Sequence, residues 1–159
     1  LICQRLMTKL LLIIAIALVN LNWIEPVAAV TQNLQLSSKQ GYRVETSFSY
    51  DEDSANKAIA VPGKEITNEI DALQVRFYNP EGDMIASYDN IIDGVVQGDY
   101  FEFHYDPVAQ QLRGAVDLGG ESAGEIYLKG DIEQELALIE VEPSGEERTM
   151  ENGEWTISR

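Results

Sequence analysis

Cysteine is nearly missing from this chain: Cys3 is the only one in 159 residues. It stands before the apolar N-terminal run, not at its end, where a lipoprotein signal would need it. No disulfide and no thiol chemistry is available after it, so stability has to come from packing. Histidine is as scarce, with His104 alone, and nucleophilic triads and most zinc sites need a histidine with a placed partner. Basic residues are outnumbered, 11 against 27 acidic ones, for a formal net charge of −16. Phosphate recognition relies on clustered Lys and Arg, so nucleic acid and anionic lipid heads are excluded as partners. Neither a Gly-rich phosphate loop nor a Gly-x-Ser-x-Gly elbow occurs. No cofactor motif is present.

The N-terminus carries the features of an export signal. Lys9 gives a positive start, Leu10 to Val19 is uninterrupted apolar sequence, and Val27, Ala28 and Ala29 offer small side chains before a cut. That order is the one a signal peptidase reads, with cleavage expected between Ala29 and Val30. The apolar run is shorter than the ~20 residues needed to cross a bilayer. Asn20 and Asn22 interrupt it, and an uncleaved anchor drawing on Leu21, Trp23 and Ile24 is the alternative. Residues 1–29 therefore read as a helical signal peptide, with Met7 a more natural start than Leu1. The expected location is periplasmic or extracellular, in a bacterium. Loss of Arg5, Lys9 and Glu25 with the leader makes the remainder one charge more acidic, which favours solubility and basic partners.

Beyond the leader the pattern is that of strands. Residues 30–40 are polar and are expected to form a flexible lead-in to a single acidic domain over 41–159. Tyr42, Val44, Thr46, Phe48 and Tyr50 alternate with Arg43, Glu45, Ser47 and Ser49, which predicts a half-buried strand. Leu73, Val75 and Phe77 alternate with Gln74, Arg76 and Tyr78. The turn Asn79-Pro80-Glu81-Gly82-Asp83 follows, and Met84 to Tyr88 returns as a hairpin partner. Similar runs cover Tyr100–Tyr105, Leu112–Val116, Ile126–Lys129, Leu136–Val141 and Glu154–Ser158, and Ala58–Val61 is a short edge strand. About eight strands at short spacing, without amphipathic helices, predict an all-β fold. It is either an antiparallel sandwich or a meander curling into a barrel.

Candidate chemistry is confined to loops and faces. Asp51, Asp53, Asp89 and Asp93 supply hard oxygen ligands in two loops, Asp51–Asn56 and Asp89–Gly94, so calcium is the ion to expect there. Neither loop has the spacing of an EF-hand. His104 shares a strand face with Glu102 and Tyr100 and reads as solvent-facing. The aromatic stripe Tyr42, Phe48, Tyr50, Phe77, Phe101, Phe103 and Tyr105 reads as core; in a barrel it would line a ligand cavity. Glu140, Glu142, Glu146, Glu147, Glu151 and Glu154 read as a solvated edge that resists sheet-to-sheet pairing.

Four phrases, Phe-Ser-Tyr-Asp (48–51), Phe-Tyr-Asn-Pro-Glu-Gly (77–82), Phe-His-Tyr-Asp-Pro (103–107) and Val-Asp-Leu-Gly-Gly (116–120), resemble those of small exported all-β proteins of cyanobacteria. Some of those carry a C-terminal sorting anchor, which the ending Trp-Thr-Ile-Ser-Arg does not provide. The resemblance implies export and an all-β fold and transfers no activity. The expected function is therefore non-catalytic binding of a protein or cell-surface partner. A lipocalin-like carrier of an apolar small molecule and a carboxylate-dependent hydrolase are the alternatives.

Overall fold

A computed structural model describes residues 28–54, 58–62, 69–97 and 101–159. Among them the chain forms thirteen strands in two antiparallel sheets that do not close into a barrel. The six-stranded sheet runs β13 (Trp155–Ser158), β1 (Ala29–Ser38), β2 (Arg43–Asp51), β4 (Ala72–Tyr78), β5 (Met84–Ile92), β6 (Val95–Val96). The seven-stranded sheet runs β12 (Glu147–Gly153), β11 (Leu136–Val141), β10 (Ile126–Asp131), β9 (Ala115–Gly119), β7 (Glu102–Asp106), β3 (Ile59–Pro62). The last of its strands, β8 (Gln111–Leu112), pairs with β7 off that path. The arrangement is sandwich-like, so of the two alternatives left open by the sequence, closure into a barrel does not occur.

Local chemistry sets the hairpins. Pro80 and Gly82 (φ +91°) turn the chain between β4 and β5. There Asn79 closes the loop twice: its amide donates to the Asp83 carbonyl at 3.0 Å and its side-chain oxygen accepts from the Asp83 amide at 2.8 Å. Between β5 and β6 only Asp93 (φ 50°) and Gly94 (φ 72°) intervene. Two consecutive left-handed residues twist a two-residue turn in the sense that the flanking strands require.

Inward side chains from both sheets meet in one core that extends from Leu34 to Trp155. Its centre is aromatic. The Phe48 ring sits edge-on to Phe103 at 4.7 Å and to Tyr105 at 4.9 Å between centroids, so β2 and β7 touch there across the two sheets. Edge-to-face pairs of this kind add ~0.5–1.5 kcal/mol beyond the burial of their area. The aromatic stripe is thus largely filling rather than the lining of a cavity.

Among the described residues, three polar side chains borne by strands bridge the sheets. The Tyr88 hydroxyl accepts from the Ile126 amide at 2.9 Å, and the Trp155 indole donates to the Leu136 carbonyl at 3.1 Å. The third is Asn90, which donates to the Gly119 carbonyl at 2.9 Å. Pairing of β4 with β5 passes from Leu73–Ile91 to Gln74–Asp89, so Asn90 is the extra residue of a bulge. A bulge re-aims a side chain, and here it turns an amide inward beside Ile91. Gly119 has no substitute on the receiving side. At φ +122° a Cβ would collide with the Ile126 carbonyl oxygen and the Tyr127 backbone.

Two expectations are corrected. Residues 30–40 are no flexible lead-in: from Ala29 to Ser38 they form β1, paired with both β2 and β13. Only Leu34 and Leu36 are fully buried in it, and the inward Gln32 hides the alternation. The second concerns the acidic C-terminal series. Strand β12 is an edge, but Glu151 is only 6% exposed, pointing inward where β12 bulges at Met150. An inward charge on an edge strand discourages pairing with another sheet.

Candidate functional site

The aspartates nominated for calcium already have local roles. Asp51 accepts from the Asp53 amide at 2.8 Å and so opens the 3-10 turn Glu52–Ser54, while Asp53 itself is exposed. Asp89 points outward and accepts from the Gln74 amide at 3.0 Å, whereas Asn90 beside it points inward. Asp93 forms the hairpin tip. Asp51 and Asp93 end β2 and β5 at the same end of the six-stranded sheet, since Ser49, Ala72 and Ile92 lie in one row. Among the described residues no group of three or more Asp, Glu, His or Cys is arranged to hold a metal ion. The expected cleavage bond falls at the entrance to β1, where Ala29 faces Asp51 and Val30 faces Tyr50. Tyr100 and the leader up to Val27 lie outside the described residues, as do Ala55 and Asn56 of the first acidic loop. No helix among the described residues is long and apolar enough to cross a membrane.

The outer face of the seven-stranded sheet carries a titratable cluster. Register places Lys129 opposite Asp117, and Asp117 opposite Glu102. Lys129 Nζ lies 2.9 Å from Asp117 Oδ2 and 3.4 Å from Glu121 Oε1, while His104 Nε2 is 2.9 Å from Glu102 Oε1. Although Asp117 faces outward, its side chain is only 3% exposed. Burial raises its pKa to about 6, overriding the hydrogen bond and charge of Lys129, which pull it down. The Lys129 ammonium is in turn held well above its ordinary pKa, chiefly by its hydrogen bond to Asp117. Tyr127 on the same face is buried too, and its hydroxyl is pushed up to about 12 by burial and by Glu147. A carboxyl with a raised pKa is what a general acid needs. A substrate cannot reach one that is 3% exposed and clamped by an ammonium, so the arrangement is that of an ion-pair network. Sequence gave no sign of it: Asp117 sits between Val116 and Leu118 as any solvated strand residue would.

The six-stranded sheet presents the opposite kind of surface. Two rows cross its outer face: Asn33, Ser47, Gln74 and Asp89 in one, Gln35, Glu45, Arg76 and Ser87 in the next. All are half-buried or exposed. An open groove of about 200 Å³ runs over them, lined by Asn33, Gln35, Glu45, Ser47, Gln74 and Arg76 together with Arg159. Beside it, Arg43 pairs with Glu45 at 3.2 Å and stacks over Tyr78 at 4.2 Å, and the Tyr78 hydroxyl donates to Glu45 at 3.1 Å. Arg159 is tied to Gln110 of the β7–β8 turn. Arg76, by contrast, is exposed and makes no ion pair among the described residues. Arg43, Arg76 and Arg159 thus outweigh Glu45 and Asp89, on a chain whose overall charge is −16.

Other depressions among the described residues are open as well; one between the sheets is lined by Asp89, Asn90, Gln97, Glu121 and Glu125. An apolar carrier needs an enclosed cavity among the core side chains. No family model matches this chain, and no curated protein and no solved structure is similar enough to it to be matched.

Proposed function

We propose that this is an exported, non-catalytic domain that works by binding at the periplasm or cell surface, with the outer face of its six-stranded sheet as the binding surface. One observation carries the reading: a groove of about 200 Å³ crosses β1, β2 and β4 and is lined mainly by polar and charged residues. Strand rows hold these groups at fixed spacing on a rigid scaffold, so ligand contact costs little ordering. Within the groove Arg76, the Asn33 amide and the Ser47 hydroxyl are uncommitted donors, with no side-chain partner among the described residues. The carrier reading loses support from the aromatic contacts that fill the space between the sheets. The hydrolase reading loses it from the inaccessibility of Asp117.

Retention of the purified protein on envelope from the cells that export it tests the proposal. Arg76→Glu should lower retention at least tenfold. Arg113→Glu, an exposed position paired with Glu133 at 3.5 Å, should leave it unchanged. Equal retention of both variants would refute the assignment of the face.

A further inference from the structure

We infer that the occupant of this groove is a neutral, hydroxyl-rich chain, a polysaccharide lying across β1, β2 and β4; the inference rests on the binding surface proposed above. Charge is the first argument. The protein bears −16 overall, yet this face is close to balanced, with Glu45 neutralised by Arg43 at 3.2 Å. The general field repels an anionic polymer, and Asp89 and Glu45 within the face oppose one locally. A strongly cationic partner would find more attraction on almost any other surface of the molecule. What this face offers is a small net charge, three arginines against two carboxylates, on a strongly acidic chain.

The kind of group present is the second argument. Asn33 brings a free amide, Gln35 and Gln74 bring amides that already donate to Ser37 and Asp89 but keep their carbonyl oxygens as acceptors, Ser47 and Ser87 bring hydroxyls, and Arg76 adds a fork of donors. These groups match sugar hydroxyls, which also donate and accept. A protein interface concentrates apolar side chains at its centre and polar ones at its rim. Here the order is reversed. The rows at the centre are polar; of the exposed apolar side chains, Met84, Ile92 and Val95 lie at the two ends of the sheet and Ile157 on its edge strand β13.

Repetition is the third. Each row crosses four strands spaced ~4.8 Å apart, so similar polar groups recur over about 14 Å. A polymer with a repeating pattern of hydroxyls can exploit such a ladder several times over, where a compact ligand could use it once.

The experiment uses the full exported protein on its own envelope, treated in three separate ways. Periodate cleaves vicinal diols in sugars, and borohydride then removes the aldehydes formed; protease digestion strips envelope proteins; raising salt from 50 to 500 mM weakens ionic contacts. Retention that falls at least tenfold after periodate, survives protease and changes less than twofold with salt supports a neutral glycan. Retention lost to protease but not to periodate overturns the glycan in favour of a protein partner. If Arg76→Glu still weakens it, the binding face itself stands. Loss in high salt alone overturns the neutrality of the ligand. If periodate acts but Arg76→Glu and Gln74→Ala bind like wild type, the glycan sits elsewhere and both readings fall.

Discussion

On the six-stranded sheet, the outward row Gln35, Glu45, Arg76 and Ser87 lies open to solvent. The matching row on the seven-stranded sheet, Ala137, Lys129, Asp117 and Glu102, contains a carboxylate that is 3% exposed and tied to an ammonium at 2.9 Å. Both rows are outward by strand alternation, and both mix charge with small side chains. They differ in what each polar group is already doing. Where Lys129 is shared by Asp117 and Glu121, ionic contacts hold the face together and leave little for a ligand. Arg76 and Asn33 have no such duty. Charge density alone is therefore a poor guide to function in an acidic protein; uncommitted groups at accessible positions are a better one.

The sharpest way to break the contrast is to remove the ammonium. Lys129→Ala should cost about 1.5 kcal/mol at neutral pH, less than the loss of a fully buried pair, because Lys129 is half exposed and only the Asp117 carboxylate is left buried without its partner. The loss should be smaller at pH 5, where Asp117 is protonated, and chemical denaturation at the two pH values would measure both.

Asp117 also gives a pH dependence of known sign. Its folded pKa, about 6, lies above the ordinary 3.8, so between those values the folded state binds more protons than the unfolded one. Stability from this group is greatest below pH 4 and falls as pH rises to 6. Asp117→Asn should flatten that part of the melting-temperature profile; a profile unchanged by the substitution would mean that the carboxyl is not buried in solution.

Tyr127→Phe removes the hydroxyl that meets Glu147 and should cost about 1 kcal/mol. On the open face, Arg76→Glu should change stability by less than ~0.5 kcal/mol, as exposed substitutions usually do, while it abolishes binding. A large stability loss there would erase the distinction between the faces. Smallest of all is the effect expected from calcium. With Asp51 engaged by the Asp53 amide and Asp89 by Gln74, millimolar calcium should leave the melting temperature unchanged, and a rise reversed by chelation would reinstate the acidic loops as a site.

Alternation made much of this fold readable. Val44, Phe48 and Tyr50 are buried as their spacing predicts, and Asn79–Asp83 and Asp93–Gly94 are turns for the reasons their chemistry implies. Strand β1 escaped because only Leu34 and Leu36 mark its inner side. Sandwich against barrel was undecidable, since it depends on which edges pair; the edge strand β3 was legible from Ala58–Val61, whereas β6, two residues long, is too short to announce itself. The groove was half legible. Glu45, Ser47, Gln74 and Arg76 read as outward, but nothing in one dimension shows that Glu45 lies across from both Gln35 and Arg76. Asp117 was not legible at all, because burial of an outward residue is decided by distant parts of the chain.

The central claim is that the six-stranded face binds and the seven-stranded face does not. Side-chain amide resonances of Asn33, Gln35 and Gln74, followed by NMR as soluble envelope extract is added, test it directly. These three should shift together while Asn152, on the far edge of the other sheet, stays still. Movement of Asn152 with the groove amides unmoved would contradict it.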